Sequence, residues 1–271
     1  MTALRLTVLR LTVLHPILFS VMATLALTSC HSDDEDNPPP EPVTTGLQSM
    51  MSNGEERSYY VLMPEDNIGG LAFEPLFSIP SSAHKDEPAP LIIGFHGSFA
   101  SHYSWVGEGL PDFEGRRYDF IDAVGQGAIM VFPDALPLGE PPDQQINWNF
   151  EYDFLFFEDL LVELERRGVK YDPNRVFVVG HSSGAGMSSE IGCRYGDIVR
   201  GAAISSGSLI SGGSCVGSVG IIQTQGELDQ AVPLNVGAFA RNFWVLYNGH
   251  DLESTIDGIV EQCVDYANVA F

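Results

Sequence analysis

The chain has 271 residues, and 13 Lys and Arg stand against 36 Asp and Glu, a formal net charge of −23 at neutral pH. An acidic surface of that size excludes nucleic acid and anionic lipid as partners recognised by charge. The sequence contains no internal repeat and no Cys/His cluster with zinc spacing, so no zinc site is expected.

Met1 to Cys30 reads as an address. Arg5 and Arg10 are its only charges, Leu11 to Leu27 is mostly apolar, and it ends Leu27-Thr28-Ser29-Cys30. A charged start, an apolar middle and small residues before a cut describe a secretory signal over residues 1–29. The ending resembles the lipobox of bacterial lipoproteins. That likeness implies lipid on Cys30 and, with His31 next, an exported protein held at the outer membrane or cell surface. An ordinary signal peptide or an uncleaved anchor is the alternative. From His31 to Pro42 the chain is acidic, then proline-rich, which predicts a solvated tether over 30–42. The remaining 43–271 has the length of one α/β domain, expected to be a monomer.

Glu56 to Pro64 alternates polar and apolar residues and predicts an early strand. Leu91 to Phe95 and Ala128 to Pro133 are wholly apolar runs, the pattern of parallel strands buried on both faces. Trp105 and Trp148 are candidates for a substrate cleft, with core packing the plainer reading. Asp153 to Arg167 places Phe154, Phe157, Leu160, Leu161 and Leu164 at helical spacing, with its acids on a wet face. Asp172-Pro-Asn-Arg175 then turns the chain.

Next comes Val176-Phe-Val-Val-Gly180-His-Ser182-Ser-Gly184. An apolar run ends at glycine, a serine follows two residues later, and a helical pattern begins. Gly-x-Ser-x-Gly arises easily by chance in a chain with 28 Gly, so the strand-to-helix context carries the reading of a nucleophile elbow with Ser182 at its apex. The flanking glycines fit a turn too tight for side chains. The helix start offers N–H groups to an oxyanion, the first from Ser183. His96-Gly97-Ser98 follows a buried strand, where the second half of an oxyanion hole is expected. Ser98 N–H is assigned that role, and His96 is expected to orient the loop.

Gly201 to Ser205 and Val219 to Thr224 predict two more strands. The loop after the second carries Glu227 and Asp229. An acid there is the third member of the order Ser…Asp…His; Asp229 is assigned, with Glu227 as rival.

The pieces Arg57-Ser-Tyr-Tyr-Val, Phe95-His-Gly, Phe132-Pro-Asp-Ala, Val176 to Gly184, Gly226-Glu-Leu-Asp-Gln-Ala-Val-Pro and Cys263-Val-Asp-Tyr run in one order to the end of the chain. Together they resemble the secreted esterases that include polyhydroxybutyrate depolymerases, feruloyl esterases and acetylxylan esterases. The resemblance implies an α/β-hydrolase fold, a mostly parallel central sheet flanked by helices. It also implies a serine carboxylesterase whose substrate is an ester-bearing polysaccharide or a polyester, working through an acyl-enzyme without metal or organic cofactor. It favours a Cys193–Cys215 disulfide, which an exported chain would oxidise. Two other classes stay open: a serine peptidase on the same fold, and a hydrolase fold that has lost catalysis and serves as a surface lipoprotein.

The general base is the hard part. Only His250 follows Asp229. Pro233 to Asn248 predicts a helix capped by Asn248-Gly249, so His250 comes before any further strand. In the resembling esterases the histidine lies beyond the Cys-x-x-Tyr segment, here Cys263 to Tyr266, and the sequence runs only five residues further. The expectation is therefore a domain lacking its last strand and helix, with its base beyond Phe271. His250 is the alternative base and natural loss of catalysis the third possibility. Cys263 is left without an evident partner.

Overall fold

The computed structural model describes residues 40–64, 88–107, 127–209 and 214–252. The signal segment, Cys30, nearly all of the tether and the Cys263–Tyr266 segment lie outside them.

Nine strands and four helices are described. Strands β1 (Gly46–Ser52) and β2 (Glu55–Leu62) form a hairpin. Its turn is Asn53-Gly54, with φ of 50° and 82°. Two positive φ values are what a two-residue type I′ turn demands, and Asn-Gly is its preferred pair. The sequence reading placed only the second of these strands, because Gly46–Ser52 is too polar to show a buried face. Then follow β3 (Ala89–Phe95), the short α1 (Tyr103–Val106), β4 (Ile129–Pro133) and a small hairpin of β5 (Pro137–Leu138) with β6 (Gln145–Ile146). Helix α2 (Tyr152–Arg166), β7 (Tyr171–His181), α3 (Ser183–Arg194), β8 (Val199–Ser205), β9 (Gly220–Thr224) and α4 (Leu234–Tyr247) complete the order.

Seven strands make one sheet in the order β1-β2-β4-β3-β7-β8-β9. The two outer pairings at β2 are antiparallel and the other four are parallel. The expected mostly parallel sheet with flanking helices is present. Strand β7 starts earlier than the apolar run suggests. Tyr171 already pairs with Ala89, and the proline turn at 172–175 is absorbed as a shift in register.

Apolar residues fill both faces of this sheet. Val176 and Val178 join the larger cluster under α2, α3 and α4, with Phe156, Phe157, Leu160, Met187, Ile191 and Trp244. Val179 points the other way, to Trp105, Met130 and Phe132. Burying each such side chain contributes about 1.5–3 kcal/mol. Trp105 and Trp148 are both 2% exposed. They are core residues, and the cleft role considered for them is not what the fold gives them.

The wet-face reading of α2 also fails at its first turn. Asp153 is 3% exposed and pairs with the equally buried Arg57 at 2.6 Å. The guanidinium lies 3.8 Å over the Phe156 ring and donates to Asp134 O at 3.1 Å. An aspartate there is favoured by the positive end of the helix. Breaking such a buried pair typically costs about 3–5 kcal/mol. The pair fastens α2 to β2 and to the end of β4, beside the loop described next.

Among the described residues, no helix is long and apolar enough to cross a membrane. Cys193 and Cys215 form a disulfide joining α3 to the segment before β9.

Candidate active site

Ser182 sits between the last residue of β7 and the first of α3, with φ 55° and ψ −121°. A non-glycine residue there is strained, and such strain persists only where the surroundings enforce it. They do so here. Ser182 N–H donates to Ser205 O at 2.9 Å, while its own carbonyl accepts from Ala185 N–H at 3.0 Å and Gly186 N–H at 3.2 Å. A Cβ on Gly180 would lie 2.0 Å from Gly184 O, and one on Gly184 would lie 2.1 Å from Phe95 O. Both glycines are therefore steric requirements of the turn.

The loop after β3 lies against this turn. A Cβ on Gly97 would meet Ser182 Cβ at 3.3 Å and His181 Nδ1 at 3.4 Å. Ala100 N–H donates to Gly97 O at 3.2 Å, which closes a turn over 97–100. Ser98 Oγ donates to Asn147 Oδ1 at 3.3 Å and Phe99 N–H to Ile146 O at 2.9 Å. Ser98 N–H takes the second position of the turn, whose closing hydrogen bond uses only the first carbonyl and the fourth amide. Ser183 N–H opens α3, a helix end with unpaired amides. The two expected oxyanion donors are thus carried on the loop and the helix that border Ser182.

His96 holds the loop from beneath. It is fully buried, and its Nε2 accepts from Ala135 N–H at 3.0 Å. Its other nitrogen must then carry the proton and donates to Gly97 O at 2.7 Å. Burial holds the ring below the ordinary histidine range, against the pull of Gly97 O. Trp148 Nε1–H donates to His96 O at 2.7 Å. With both nitrogens engaged, His96 orients the loop and is no proton acceptor for Ser182.

A second clamp was not anticipated. Asp134 accepts from His102 N–H and pairs with His102 Nδ1, both at 2.7 Å, and accepts from Ser58 Oγ at 2.9 Å. Burial works against its ionisation, yet the bonds from His102 and Ser58 hold its carboxyl below the usual range. Asp134 and Ala135 therefore fix both ends of the loop, one through His102 and one through His96. In the sequence, the only hint was the Pro133-Asp134-Ala135 string.

On the other side, β9 runs parallel to β8 and its following loop holds Asp229. Asp229 Oδ1 accepts from Ala231 N–H and Val232 N–H at 2.9 Å each, and Oδ2 accepts from Gln225 Nε2 at 3.3 Å. The Val232 amide, then the Ser206 hydroxyl and the Ala231 amide, keep its carboxyl below the usual range; the His181 ring adds to this. Its rival Glu227 is exposed. The His181 ring is itself held low by burial, which the Asp229 charge opposes.

His250 is elsewhere. Gly249 (φ 77°) donates to Leu246 O at 3.0 Å and His250 N–H to Val245 O at 2.9 Å, the two bonds of a Schellman cap on α4. Asn248 Nδ2 donates to Val219 O at 3.0 Å, just before β9 begins. Ser182 follows His181, which pairs with Ser205 and, through it, stands level with Thr224 at the other end of β9. Five residues of strand separate those levels, about 16 Å. The structure places exposed His250 at the edge opposite Ser182 and does not bring it to the triad. Helix α4 carries the chain back along the sheet, so its far end cannot return to where it started.

Among the described residues, no group of three or more His, Cys, Asp or Glu could hold a metal ion. Residues 92–258 match the alpha/beta hydrolase family, more than half of the chain. Feruloyl esterase B of Piromyces equi is 28% identical over 176 residues, which are 60% of this chain and 30% of that protein. Feruloyl esterase D of Neurospora crassa is 28% identical over 190 residues, 68% of this chain and 62% of that one. The chain thus spans less than two thirds of either relative. In fold it is similar to a ferulic acid esterase from Anaeromyces mucronatus, solved with ferulic acid, with a TM-score of 0.51 at 15% identity over 80% of this chain and 85% of that one. A thermostable esterase gives a TM-score of 0.50 at 15% identity, covering 75% of this chain and 52% of that one. The sheet order, the strained serine between strand and helix and the family match agree: the chain belongs to the alpha/beta hydrolase family.

Proposed function

We propose that the protein is a serine carboxylesterase releasing an acyl group, feruloyl or acetyl, from a polysaccharide, or cleaving a polyhydroxyalkanoate-type polyester. The observation that carries this is Ser182, held at φ 55° between the Ser98 loop and the start of α3. Ser182 Oγ attacks the ester carbonyl, and its proton passes to an imidazole oriented by Asp229. The Ser98 and Ser183 amides hold the oxyanion. The alcohol leaves with the proton, and water attacks the acyl-enzyme to free the acid and restore Ser182. His250 is not assigned that role, since it lies at the edge of the sheet opposite Ser182. No metal or organic cofactor enters this scheme. The relatives named feruloyl esterase support the ester class. The sequence of residues 1–42 supports an exported protein lipid-held through Cys30.

The test compares hydrolysis of a methyl hydroxycinnamate and of a matching aryl amide by the protein and by Ser182→Ala. Oxyanion stabilisation and binding alone sustain about 10³–10⁴ over water whichever triad member is removed, so turnover that depends on Ser182 reports a working general base. Ester turnover that disappears with Ser182 is expected. Faster amide cleavage points to a peptidase. The placement of His250 favours one second reading, a hydrolase fold kept for binding at the cell surface. That reading gains if ester turnover is the same in Ser182→Ala.

A further inference from the structure

Phe99 stands where a side chain is costly twice over. It is the third residue of the 97–100 turn and has φ 61°, while Ser98 before it has an ordinary φ. That is the pattern of a type II turn, whose third position calls for glycine or asparagine. A bulky residue there is an outlier. The ring is also 66% exposed. Among the described residues the loop is fixed without the ring, by His96 on Ala135 N–H, His102 on Asp134 and Phe99 N–H on Ile146 O. Strain enforced by its surroundings, on an apolar ring left in water beside the site, points to a ligand.

Position decides which part of the ligand. Gly97 lies beside Ser182, where an added Cβ would meet Ser182 Cβ at 3.3 Å, and the Cα of Phe99 is two residues on, within about 7.6 Å of that of Gly97. An ester whose carbonyl oxygen is held by Ser98 N–H has its carbonyl carbon beside the residue that precedes Phe99, and the experiment below separates its acyl arm from its alcohol arm. Aromatic rings pair at centroid separations of about 4.5–7 Å. We propose, resting on the esterase reading, that Phe99 is a specificity residue that stacks on the aromatic ring of a hydroxycinnamoyl acyl group and so selects aromatic over acetyl acyl groups.

The experiment compares kcat/KM for methyl ferulate, aromatic on the acyl side, with that for phenyl acetate, aromatic on the alcohol side. Phe99→Gly is expected to lower the ferulate-to-acetate ratio about 3- to 10-fold, with Tm unchanged or higher because glycine accepts φ 61°. Phe99→Tyr is expected to keep the ratio. An unchanged ratio in Phe99→Gly, or full retention in Phe99→Leu, overturns the proposal. So does a larger loss on phenyl acetate than on methyl ferulate, which would put the ring on the alcohol side. If the protein turns over neither ester, the esterase reading fails separately. Saturation-transfer NMR of ferulate then decides: binding weakened in Phe99→Gly sustains the stacking role, and binding equal to wild type, or none, ends it.

Discussion

Lowering the pH should loosen the site from beneath before any carboxylate is protonated. His96 is fully buried and accepts a hydrogen bond on Nε2 from Ala135 N–H while donating from Nδ1 to Gly97 O. A proton on Nε2 would remove that acceptor and bury a charge, which is why burial holds the ring below its ordinary range. In the unfolded chain the same ring titrates near 6.5. Below that pH the unfolded state binds a proton that the folded state refuses, so stability is full above about 6.5 and falls as the pH drops. For one histidine that stays neutral in the fold, the loss between pH 7.5 and 5.5 has a ceiling of about 1.4 kcal/mol, or about 3–6 °C in Tm. His181, lowered for the same reason but only part-buried, adds to the loss with the same sign. Asp134 does not interfere. Its depressed carboxyl contributes stability above its unfolded value near 3.8, and that is lost only at lower pH. Urea unfolding at pH 7.5 and 5.5 measures the effect in the wild type and in His96→Gln, which retains an acceptor but does not titrate. The variant should lose less stability across the interval than the wild type. Equal losses in the two proteins would refute the reasoning about His96.

Three other outcomes are expected. Replacing Cys193 and Cys215 by serine opens a crosslink spanning 22 positions and should cost about 3 kcal/mol on the chain-entropy account, read by urea unfolding; thiol counting of the unfolded, unreduced protein should find neither cysteine free. Gly184→Ala should cost more than about 3 kcal/mol or prevent folding, since its Cβ would lie 2.1 Å from Phe95 O and 2.4 Å from His96 O; circular dichroism melting of a well-folded, equally stable variant would contradict the elbow geometry. Asp229→Ala should reduce Ser182-dependent ester hydrolysis far more than Glu227→Ala, because Asp229 is seated by two backbone amides and Glu227 is exposed; the reverse ranking would transfer the acid role to Glu227.

The sequence by itself determined the parts that depend on short-range chemistry. Buried parallel strands need unbroken apolar runs, so Leu91–Phe95 and Val176–Val179 announced themselves. A strand-to-helix turn with no room for side chains needs glycine at both flanks, so Gly180 and Gly184 framed Ser182 before any coordinates. The amphipathic stripe of α2 and the Asn248-Gly249 cap of α4 were legible for the same local reason. Local pattern could not say which distant groups meet. Asp153 looks like any wet-face acid in the first turn of a helix, and only the crossing of α2 over β2 makes it the buried partner of Arg57. Asp134 and His102 are 32 positions apart, and nothing in either stretch states that the end of β4 clamps the loop after β3. His250 satisfied the order of a triad along the chain. The direction of α4, antiparallel to the strand it follows, put His250 at the far edge of the sheet. Order in sequence is one-dimensional, whereas a hydrogen bond needs a distance in three dimensions, and the fold alone supplies that.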